Sequence, residues 1–337
     1  PNPKPQTPNP KPQTPIFNPK KKSILILTSH STTMLGFLFK ILCLFGLARV
    51  LIWFYCYVKL LFFDRQLNLL ERYGKDSWAV ITGASDGIGK EWARRLAQEG
   101  FNLILIARNK DKLQGVAEWI ARQSPKVSIK IIIKDFKDSD KAQFFDEIDE
   151  QLKNLDVSIL VNNVGTLQRK KDITLTAKEV RDIVVVNCCS QVGMTKLLTP
   201  RMQNRAKRCA ILDVSSGITM GLGNMPFYCV YGATKGFMNR MTITQSTYFT
   251  NIDMCNVVPG LVESNMSGLK TGEMLSVDVC QSTESHVSGV LKSLGQSTTT
   301  LGAFYHNAIH SLSVLIFYLT PSDLRYLIGK SAKPNNF

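Results

Sequence analysis

Tyr231 and Lys235 are the residues whose types and spacing indicate chemistry most directly, because they lie four positions apart in the segment YGATK. On a helix this spacing places two side chains on the same face. A phenol ordinarily titrates at about 10, and a neighbouring ammonium favours its ionised form. The pair therefore predicts a tyrosine whose pKa falls toward neutral pH, so that it can donate a proton to a substrate oxygen.

A glycine-rich segment, TGASDGIG at positions 82–89, follows the first predicted strand. A turn of this kind between a strand and a helix bends tightly and lets the backbone approach a pyrophosphate. It also directs the helix N-terminal amides toward that group. We predict that six residues of the turn bind a dinucleotide cofactor: Gly83, Ser85, Asp86, Gly87, Ile88 and Gly89.

The type of cofactor depends on the end of the second predicted strand, where the chain reads ARNK at positions 107–110. An acidic side chain there would bind the adenosine ribose hydroxyls and favour NAD. Arg108 instead offers a planar guanidinium that suits a 2′-phosphate, and Lys110 lies two residues further on. These residues predict NADP(H). Asp135, after the third predicted strand, is placed to contact the adenine.

Short apolar runs alternate with helix-length segments from residue 77 onward. Runs that are apolar on both faces indicate parallel strands covered by helices. One intervening helix, Lys90–Glu99, is closed by Gly100. The alternation predicts an α/β fold with a doubly wound parallel sheet. The predicted strands are Trp78–Ile81, Leu103–Ala107, Ile129–Ile133, Ile159–Val161, Ala210–Val214 and Asn256–Val258.

Composition divides the chain into four parts. Residues 1–33 are a proline-rich leader in which PNPKPQT occurs twice; we expect disorder there, with a docking tail as the functional alternative. Residues 34–63 are apolar over the roughly 20 positions that span a bilayer, and they predict a membrane anchor, with a buried core helix as the alternative. Residues 64–330 form the catalytic domain and 331–337 a tail. Inside that domain, Leu301–Leu319 is interpreted as a core helix, a second membrane contact or a lid.

The net charge of +15 favours anionic partners such as phosphates or a membrane surface. We expect no nucleic-acid partner, because no nucleic-acid-binding motif accompanies the charge. The 8 cysteines include no C-x-x-C pair, which excludes a zinc ribbon or a redox dithiol. His306 and His310 lie at i, i+4 but lack the glutamate of the metalloprotease motif, so we predict no metal site.

Further motifs follow the glycine-rich turn along the chain. They are Asn162-Asn163-Val164-Gly165 after the fourth strand, Asn187 in the next helix, Ser215-Ser216-Gly217 after the fifth strand, Tyr231 with Lys235, and Pro259-Gly260-Leu261-Val262-Glu263-Ser264 after the sixth strand. In type and order they resemble the motifs of the short-chain dehydrogenase/reductase family. The resemblance implies a Rossmann-like fold and hydride transfer between a nicotinamide cofactor and a carbonyl carbon.

The resemblance also implies a role for each catalytic residue. Tyr231 would donate the proton, with its pKa lowered further by the positive nicotinamide, and Lys235 would also hold the nicotinamide ribose hydroxyls. Asn187 would hold a water that connects Lys235 to solvent. Among the remaining motif residues, the cofactor would contact Asn162, Asn163, Gly165, Pro259, Gly260, Val262 and Ser264, the last two at the carboxamide.

Ser216 would polarise the substrate carbonyl by a hydrogen bond. The stretch between Ser216 and Tyr231 is longer than in the relatives that this chain resembles. Ser215 and Thr219 therefore stay as alternatives for this role.

Within the family, the apolar segment 34–63 and the variants TGxxDGIGK and NNVG resemble one branch. This branch contains the microsomal very-long-chain 3-oxoacyl-CoA reductases and the related 17-beta-hydroxysteroid dehydrogenases. The resemblance implies reduction of a 3-oxoacyl-CoA during fatty-acid elongation, at the endoplasmic reticulum membrane and facing the cytosol. It also implies a possible homodimer and contact with other elongation enzymes. A hydroxysteroid or retinoid dehydrogenase, and a non-catalytic NADP-binding scaffold, are the alternatives.

Overall fold

The computed structural model describes residues 67–168, 174–219, 228–268 and 280–302, and helical residues at 36–37, 39–41, 43–48, 50–51 and 54–55. The predicted leader and tail, His306 and His310, and the apolar zone beyond residue 302 lie outside the described residues. The chain divides into two units, Pro1–Asp64 and Arg65–Phe337.

The described residues of the first unit are helical and largely apolar. Phe37, Leu44, Phe45 and Tyr55 all have exposed side chains there. Among all residues that the structure describes, no helix is both long and apolar enough to cross a membrane. The anchor predicted at 34–63 lies partly outside those residues, so it stays a prediction.

The described part of the second unit contains one sheet. Its strands are β1 Trp78–Thr82, β2 Asn102–Ala107, β3 Ile129–Ile133, β4 Val157–Asn162, β5 Cys209–Val214, β6 Ile252–Val257 and β7 Thr299–Thr300. All of them pair in parallel, in the order β3-β2-β1-β4-β5-β6-β7. The strand order reverses between β1 and β4, and ligands of such sheets bind at the carboxyl ends of the strands near this point. The predicted doubly wound parallel sheet is confirmed.

Helices cover both faces of the sheet and enclose two apolar cores. One core includes Trp92 and Leu113, and the other includes Phe144, Met194 and Leu198. These residues are buried because parallel strands bury both of their faces. The helices of this unit are α1 Leu69–Tyr73, α2 Gly87–Glu99, α3 Lys110–Gln123, α4 Phe144–Leu152, α5 Ala177–Val184, α6 Ser190–Gln203, α7 Cys229–Gln245 and α8 Thr283–Ser293.

Most strands differ from the sequence prediction by one or two residues at an end, and three differences are larger or of another kind. The first long helix begins at Gly87 rather than Lys90, because the Asp86 side chain caps its first turn, and it ends at Glu99 with Gly100 as its C-cap, as predicted. Strand β6 begins at Ile252, four residues earlier than predicted. The two-residue strand β7 was not predicted, because two threonines form no apolar run and are too short for a periodic signal.

Candidate active site

The glycine-rich turn lies between the carboxyl end of β1 and the first turn of α2. Gly83 and Gly87 have positive φ angles of 67° and 51°, which disfavour residues with a Cβ. A Cβ at Gly89 would stand 2.2 Å from the carbonyl oxygen of Gly83, so the helix packs directly on the turn. Asp86 Oδ1 accepts a hydrogen bond from the Gly87 amide at 2.7 Å. The turn is therefore as tight as the sequence predicted, and binding of a pyrophosphate there stays a prediction.

The other two predicted residues of this turn differ in their surroundings. Ser85 is partly exposed beside the turn. Ile88 packs against the apolar core with its partly buried side chain. In this structure the Ile88 side chain therefore packs the turn against the apolar core.

The loop that follows β6 packs against this turn. Asn265 Nδ2 donates to the Asp86 carboxylate. A Cβ at Gly87 would stand 3.2 Å from Ser264 Cβ. Val262 is buried and pairs with Gln281 in an isolated bridge. The structure thus brings the Pro259–Ser264 motif to the predicted cofactor turn.

Pro259 connects the same loop to the end of β5. Its carbonyl oxygen accepts from the Gly217 amide at 2.7 Å. A Cβ at Gly217 would stand 3.5 Å from the Cα of Gly260, which is itself exposed. The residue that follows Ser216 is therefore held against a motif that lies far away in sequence.

Asn163 fastens the carboxyl end of β4 to the glycine-rich turn. Its Nδ2 donates to the carbonyl oxygens of Thr82 at 3.0 Å and Gly83 at 3.3 Å. Thr82 Oγ1 in turn accepts from the backbone amides of Asn163 and Val164, both at 3.0 Å. Thr82 thus connects β1 to the end of β4 through its hydroxyl and its carbonyl oxygen. The only sequence signal for this role was its position in front of the first glycine.

Asn162, the last residue of β4 and the neighbour of Asn163, has its side chain in the protein interior. It is 2% exposed, and its Nδ2 donates to Thr195 Oγ1 at 3.1 Å and to Asp213 Oδ1 at 2.8 Å. Its amide therefore bridges β4, β5 and α6. The structure does not bring this side chain to the glycine-rich turn.

Tyr231 lies in the first turns of α7, with the Ser216 side chain beside its phenol. Burial raises the pKa of Tyr231 above its ordinary value, and the hydrogen bond with Ser216 lowers it in part. The net direction is opposite to the fall expected from the sequence, which is corrected here. The physical reason is burial of the phenol, while Lys235 Nζ, 5.8 Å from the ring centre, donates to the carbonyl oxygen of Val214.

The alternatives to Ser216 have other partners. The hydroxyl of Ser215 donates to the carbonyl oxygen of Val257 at 3.1 Å and is buried. Thr219 Oγ1 donates to the carbonyl oxygen of Ser216 at 2.8 Å. Of the three hydroxyls, the structure places that of Ser216 at the phenol.

Lys235 is 3% exposed. Its Nζ donates to the carbonyl oxygen of Val214 at 2.8 Å and lies 3.5 Å from Met238 Sδ. Burial lowers the pKa of Lys235 to about 8, while the charges of Cys188 and Asp213 raise it. The group can thus exchange between ammonium and amine close to neutral pH.

Asn187 lies in a π-helical turn, Val185–Cys189, that joins α5 to α6. Its Oδ1 accepts from the Thr166 amide at 2.8 Å, and its Nδ2 donates to Thr234 Oγ1 at 2.9 Å. A Cβ at Gly165 would stand 3.4 Å from Asn187 Oδ1 and 3.3 Å from Lys235 Nζ. The absence of a side chain at Gly165 therefore lets both polar groups face the same small space, which fits a bound water or hydroxyl.

The predicted adenosine end lies at the carboxyl ends of β2 and β3. The Arg108 side chain is 68% exposed, with a guanidinium nitrogen 3.8 Å from Asp135 Oδ2. Asp135 also accepts from the Lys137 amide at 3.1 Å. Lys110 is exposed at the first position of α3, behind the cap that Asn109 provides. Arg108 thus lies beside the Asp135 carboxylate, and the exposed Lys110 follows two residues later in the chain.

The geometry is that of a nucleotide-dependent oxidoreductase built on a doubly wound sheet, and sequence comparison identifies the family. The profile of the short chain dehydrogenase family matches residues 77–274. The chain belongs to this family, so the predicted family and oxidoreductase class are confirmed.

Similar proteins within the family have two kinds of name. A very-long-chain 3-oxoacyl-CoA reductase of Coccidioides immitis is 34% identical over 227 residues, which are 66% of this chain and 63% of that protein. A 17-beta-hydroxysteroid dehydrogenase type 3 of Rattus norvegicus is 32% identical over 283 residues, which are 80% of this chain and 88% of that protein. The two levels of identity are too close to separate the two names.

Solved structures share the fold. A short-chain dehydrogenase from Sphingobium yanoikuyae in complex with NADPH aligns with a TM-score of 0.59 at 21% identity, over 73% of this chain and 97% of that one. A 7beta-hydroxysteroid dehydrogenase aligns with a TM-score of 0.61 at 20% identity, over 75% and 100%. At this identity the likeness supports the fold alone.

Proposed function

We propose that this protein is an NADPH-dependent reductase that converts the keto group of a 3-oxoacyl-CoA to a 3-hydroxyacyl-CoA. The observation that carries the proposal is the position of the Ser216 side chain beside the buried Tyr231 phenol, with Lys235 one helical turn away. A phenol and an aliphatic hydroxyl that lie side by side can both donate hydrogen bonds to one carbonyl oxygen. The names of several relatives supply the acyl-CoA substrate.

The residues present fit NADPH. The positive φ angles of Gly83 and Gly87 shape a tight turn at the N-terminus of α2, where a pyrophosphate would bind. Arg108 and Lys110 are exposed at the strand ends, where a 2′-phosphate would meet their positive charge. When bound, the reduced nicotinamide supplies the hydride that reaches the carbonyl carbon.

Four side chains of the site would bind the substrate and the cofactor and transfer the proton. Ser216 would donate a hydrogen bond to the carbonyl oxygen, and Tyr231 would donate the proton to that oxygen as the hydride reaches the carbon. Lys235 would hold the ribose hydroxyls and attract negative charge on the phenol oxygen. Asn187 and Lys235 face the space above Gly165, through which a proton could return from solvent to the phenol.

A hydroxysteroid is the second candidate substrate. The relative from Rattus norvegicus matches 80% of this chain, more than the reductase from Coccidioides immitis does. A 17-beta-hydroxysteroid dehydrogenase type 3 of Danio rerio is also 34% identical over 69% of this chain. Both substrate classes need the same proton donor and cofactor, so the catalytic residues do not distinguish them.

Location and partners belong to the same proposal. A lipid substrate suits a protein held at the endoplasmic reticulum membrane with its catalytic domain in the cytosol. Support comes from the apolar residues 34–63 and from the exposed side chains of Phe37, Leu44 and Phe45. A homodimer, and contact with other fatty-acid elongation enzymes, are proposed on the family resemblance alone.

The test of substrate is NADPH oxidation by the detergent-solubilised full chain. A long-chain 3-oxoacyl-CoA and a 17-oxosteroid are compared at equal concentration, and the ratio of their kcat/KM values is measured. We expect the acyl-CoA to react faster. A faster steroid would favour the second candidate, and oxidation with neither would contradict the proposed reaction.

Membrane attachment has a separate test. A chain that begins at Asp64 should be recovered in the supernatant after a carbonate wash of membranes, whereas the full chain should stay with the membrane. The reason is that the truncation removes the long apolar segment 34–63. Membrane retention of the truncated chain would assign attachment to another segment.

A further inference from the structure

The Asp86 side chain connects two segments that lie far apart in sequence, the glycine-rich turn and the loop that follows β6. One carboxylate oxygen, Oδ1, accepts a hydrogen bond from the Gly87 amide at 2.7 Å and so caps α2. The other oxygen, Oδ2, accepts a hydrogen bond from Asn265 Nδ2. A single carboxylate therefore binds both the cofactor turn and the loop.

Residues 264–268 of that loop form one helical turn whose hydrogen bonds begin at Ser264. Ser264 Oγ accepts from the Ser267 amide, and Ser267 Oγ accepts from the Ser264 amide, both at 3.1 Å. The Gly268 amide closes the turn on the carbonyl oxygen of Ser264 at 2.9 Å. Reciprocal bonds of this kind resemble a capping box, which fixes the start of a helix. Asn265 thus belongs to a turn of defined shape.

This turn is attached to the rest of the protein on two sides. Before it, the Glu263 amide donates to the carbonyl oxygen of Gln281 at 2.8 Å. Within it, Asn265 binds Asp86 at the start of α2. Ser264 lies between these two attachments in the chain, so both of them determine where it stands relative to the cofactor turn.

We propose that Asn265 and Asp86 are positioning residues, whose hydrogen bond holds the turn 264–268 against the glycine-rich turn. In this position Val262 and Ser264 would contact the nicotinamide carboxamide. The inference rests on the proposed function, in which NADPH occupies this site.

The charge of Asp86 supports a role through the loop. A carboxylate repels an anionic pyrophosphate, so a direct contact between the two would be unfavourable. Both Asp86 oxygens are instead used within the protein, by the Gly87 amide and by Asn265. A loop that is already held in place costs less free energy to order when a ligand binds. The contact should therefore increase the affinity for NADPH.

The test is the NADPH affinity of the full chain, measured by cofactor fluorescence. Asn265→Ala removes the hydrogen-bond donor without a change of charge, and Kd should rise about three- to tenfold, the range of one net hydrogen bond. Asn265→Asp places a second carboxylate against Asp86 and should weaken the affinity further.

A double variant, Asp86→Asn with Asn265→Asp, exchanges the donor and the acceptor. It keeps the net charge of the wild type, and an asparagine at position 86 can still cap α2. Its affinity should return close to that of wild type. Asn204→Ala, at an exposed position ahead of β5, is the control for the alanine change and should keep wild-type affinity.

Amide hydrogen exchange without NADPH measures the turn itself. The Ser267 and Gly268 amides are hydrogen-bonded to Ser264, so they should exchange faster in both Asn265 variants and at the wild-type rate in the double variant. Wild-type affinity or wild-type exchange in both Asn265 variants would overturn the inference. A double variant as weak as Asn265→Asp alone would also overturn it.

Both measurements are made without substrate, so they separate this inference from the proposed function. Rescue by the double variant, in a protein that reduces no 3-oxoacyl-CoA or oxosteroid, would support the positioning role and contradict only the reaction. An active reductase in which both Asn265 variants keep wild-type NADPH affinity would contradict only the positioning role.

Discussion

The side chains at the two ends of the candidate cofactor site differ in how far they are exposed to solvent. At the Tyr231 end, Lys235 is 3% exposed and Asn187 is 0% exposed, and both are fixed by hydrogen bonds of 3.1 Å or less. At the adenosine end, the Arg108 side chain is 68% exposed, and its ion pair with Asp135 spans 3.8 Å.

This difference separates two kinds of recognition. A buried polar group changes its pKa strongly and tolerates little displacement, so the Tyr231 end suits proton transfer. An exposed guanidinium keeps its charge, and its interactions weaken with added salt. The Arg108 end therefore suits selection between cofactors by charge. Substitutions should affect kcat at the first end and cofactor affinity at the second.

The largest expected effect is that of Tyr231→Phe, which removes the phenol hydroxyl and keeps the ring. General acid catalysis contributes about 10²–10⁴-fold, so we expect kcat to fall by at least about two orders of magnitude. NADPH affinity, measured by fluorescence titration, should stay close to wild type.

Tyr228→Phe is the matched control, because Tyr228 lies three residues earlier and has Gly232, not a lysine, four residues later. It should retain most of the activity. An active Tyr231→Phe beside an inactive Tyr228→Phe would falsify the assignment of the proton donor.

Ser216→Ala should have the next largest effect, because it removes the hydrogen-bond partner of Tyr231 and the proposed donor to the carbonyl oxygen. Loss of one such donor typically costs about 10²-fold in kcat. Ser215→Ala is the control, because the Ser215 hydroxyl donates to the carbonyl oxygen of Val257 within the sheet. This variant should have a lower melting temperature and a kcat close to that of wild type. Equal kcat in Ser216→Ala and wild type would return the role to Ser215 or Thr219.

Arg108→Asp should weaken the affinity for NADPH and leave kcat at saturating cofactor nearly unchanged. Loss of a charge-assisted contact with the 2′-phosphate is worth about 1.5–3 kcal/mol, a ten- to hundredfold weaker affinity for NADPH. NADH affinity should change little, and the wild-type preference should diminish at high salt. Arg122→Asp makes the same charge change at the exposed end of α3 and should keep the preference. The assignment fails if the NADPH/NADH affinity ratio of Arg108→Asp equals that of wild type.

The smallest effect is expected for Gly165→Ala. The new methyl group would stand 3.3 Å from Lys235 Nζ and 3.4 Å from Asn187 Oδ1, so both groups must move by a few tenths of an ångström. We expect kcat to fall by less than about tenfold, since larger displacements are needed for a 10²-fold loss. Gly115→Ala, at a helix position with nothing within 4 Å, should leave kcat unchanged and raise stability slightly. Equal kcat in the two alanine variants would show that the space at Gly165 is not used.

Several features could be predicted from the sequence because they depend on local spacing. Each of the six predicted strands overlaps a strand of the sheet, since buried parallel strands produce continuous apolar runs. The glycine-rich turn could be located in the same way, because positive φ angles at Gly83 and Gly87 favour glycine itself. The i, i+4 spacing placed Tyr231 and Lys235 on one helix, and the ring centre and Nζ are 5.8 Å apart.

Other features depended on contacts between residues far apart in sequence, and only the tertiary structure decided them. Spacing could not show that Lys235 Nζ bonds Val214, or that burial reverses the direction of the Tyr231 pKa shift. Nor could it show that Ser216, and not Ser215, meets the phenol. A pKa reports the solvent and charge around a group, and packing of β5 against α7 sets both. The sequence by itself therefore determined which groups are present and on which elements they lie, whereas the packing of those elements decided their ionisation and partners.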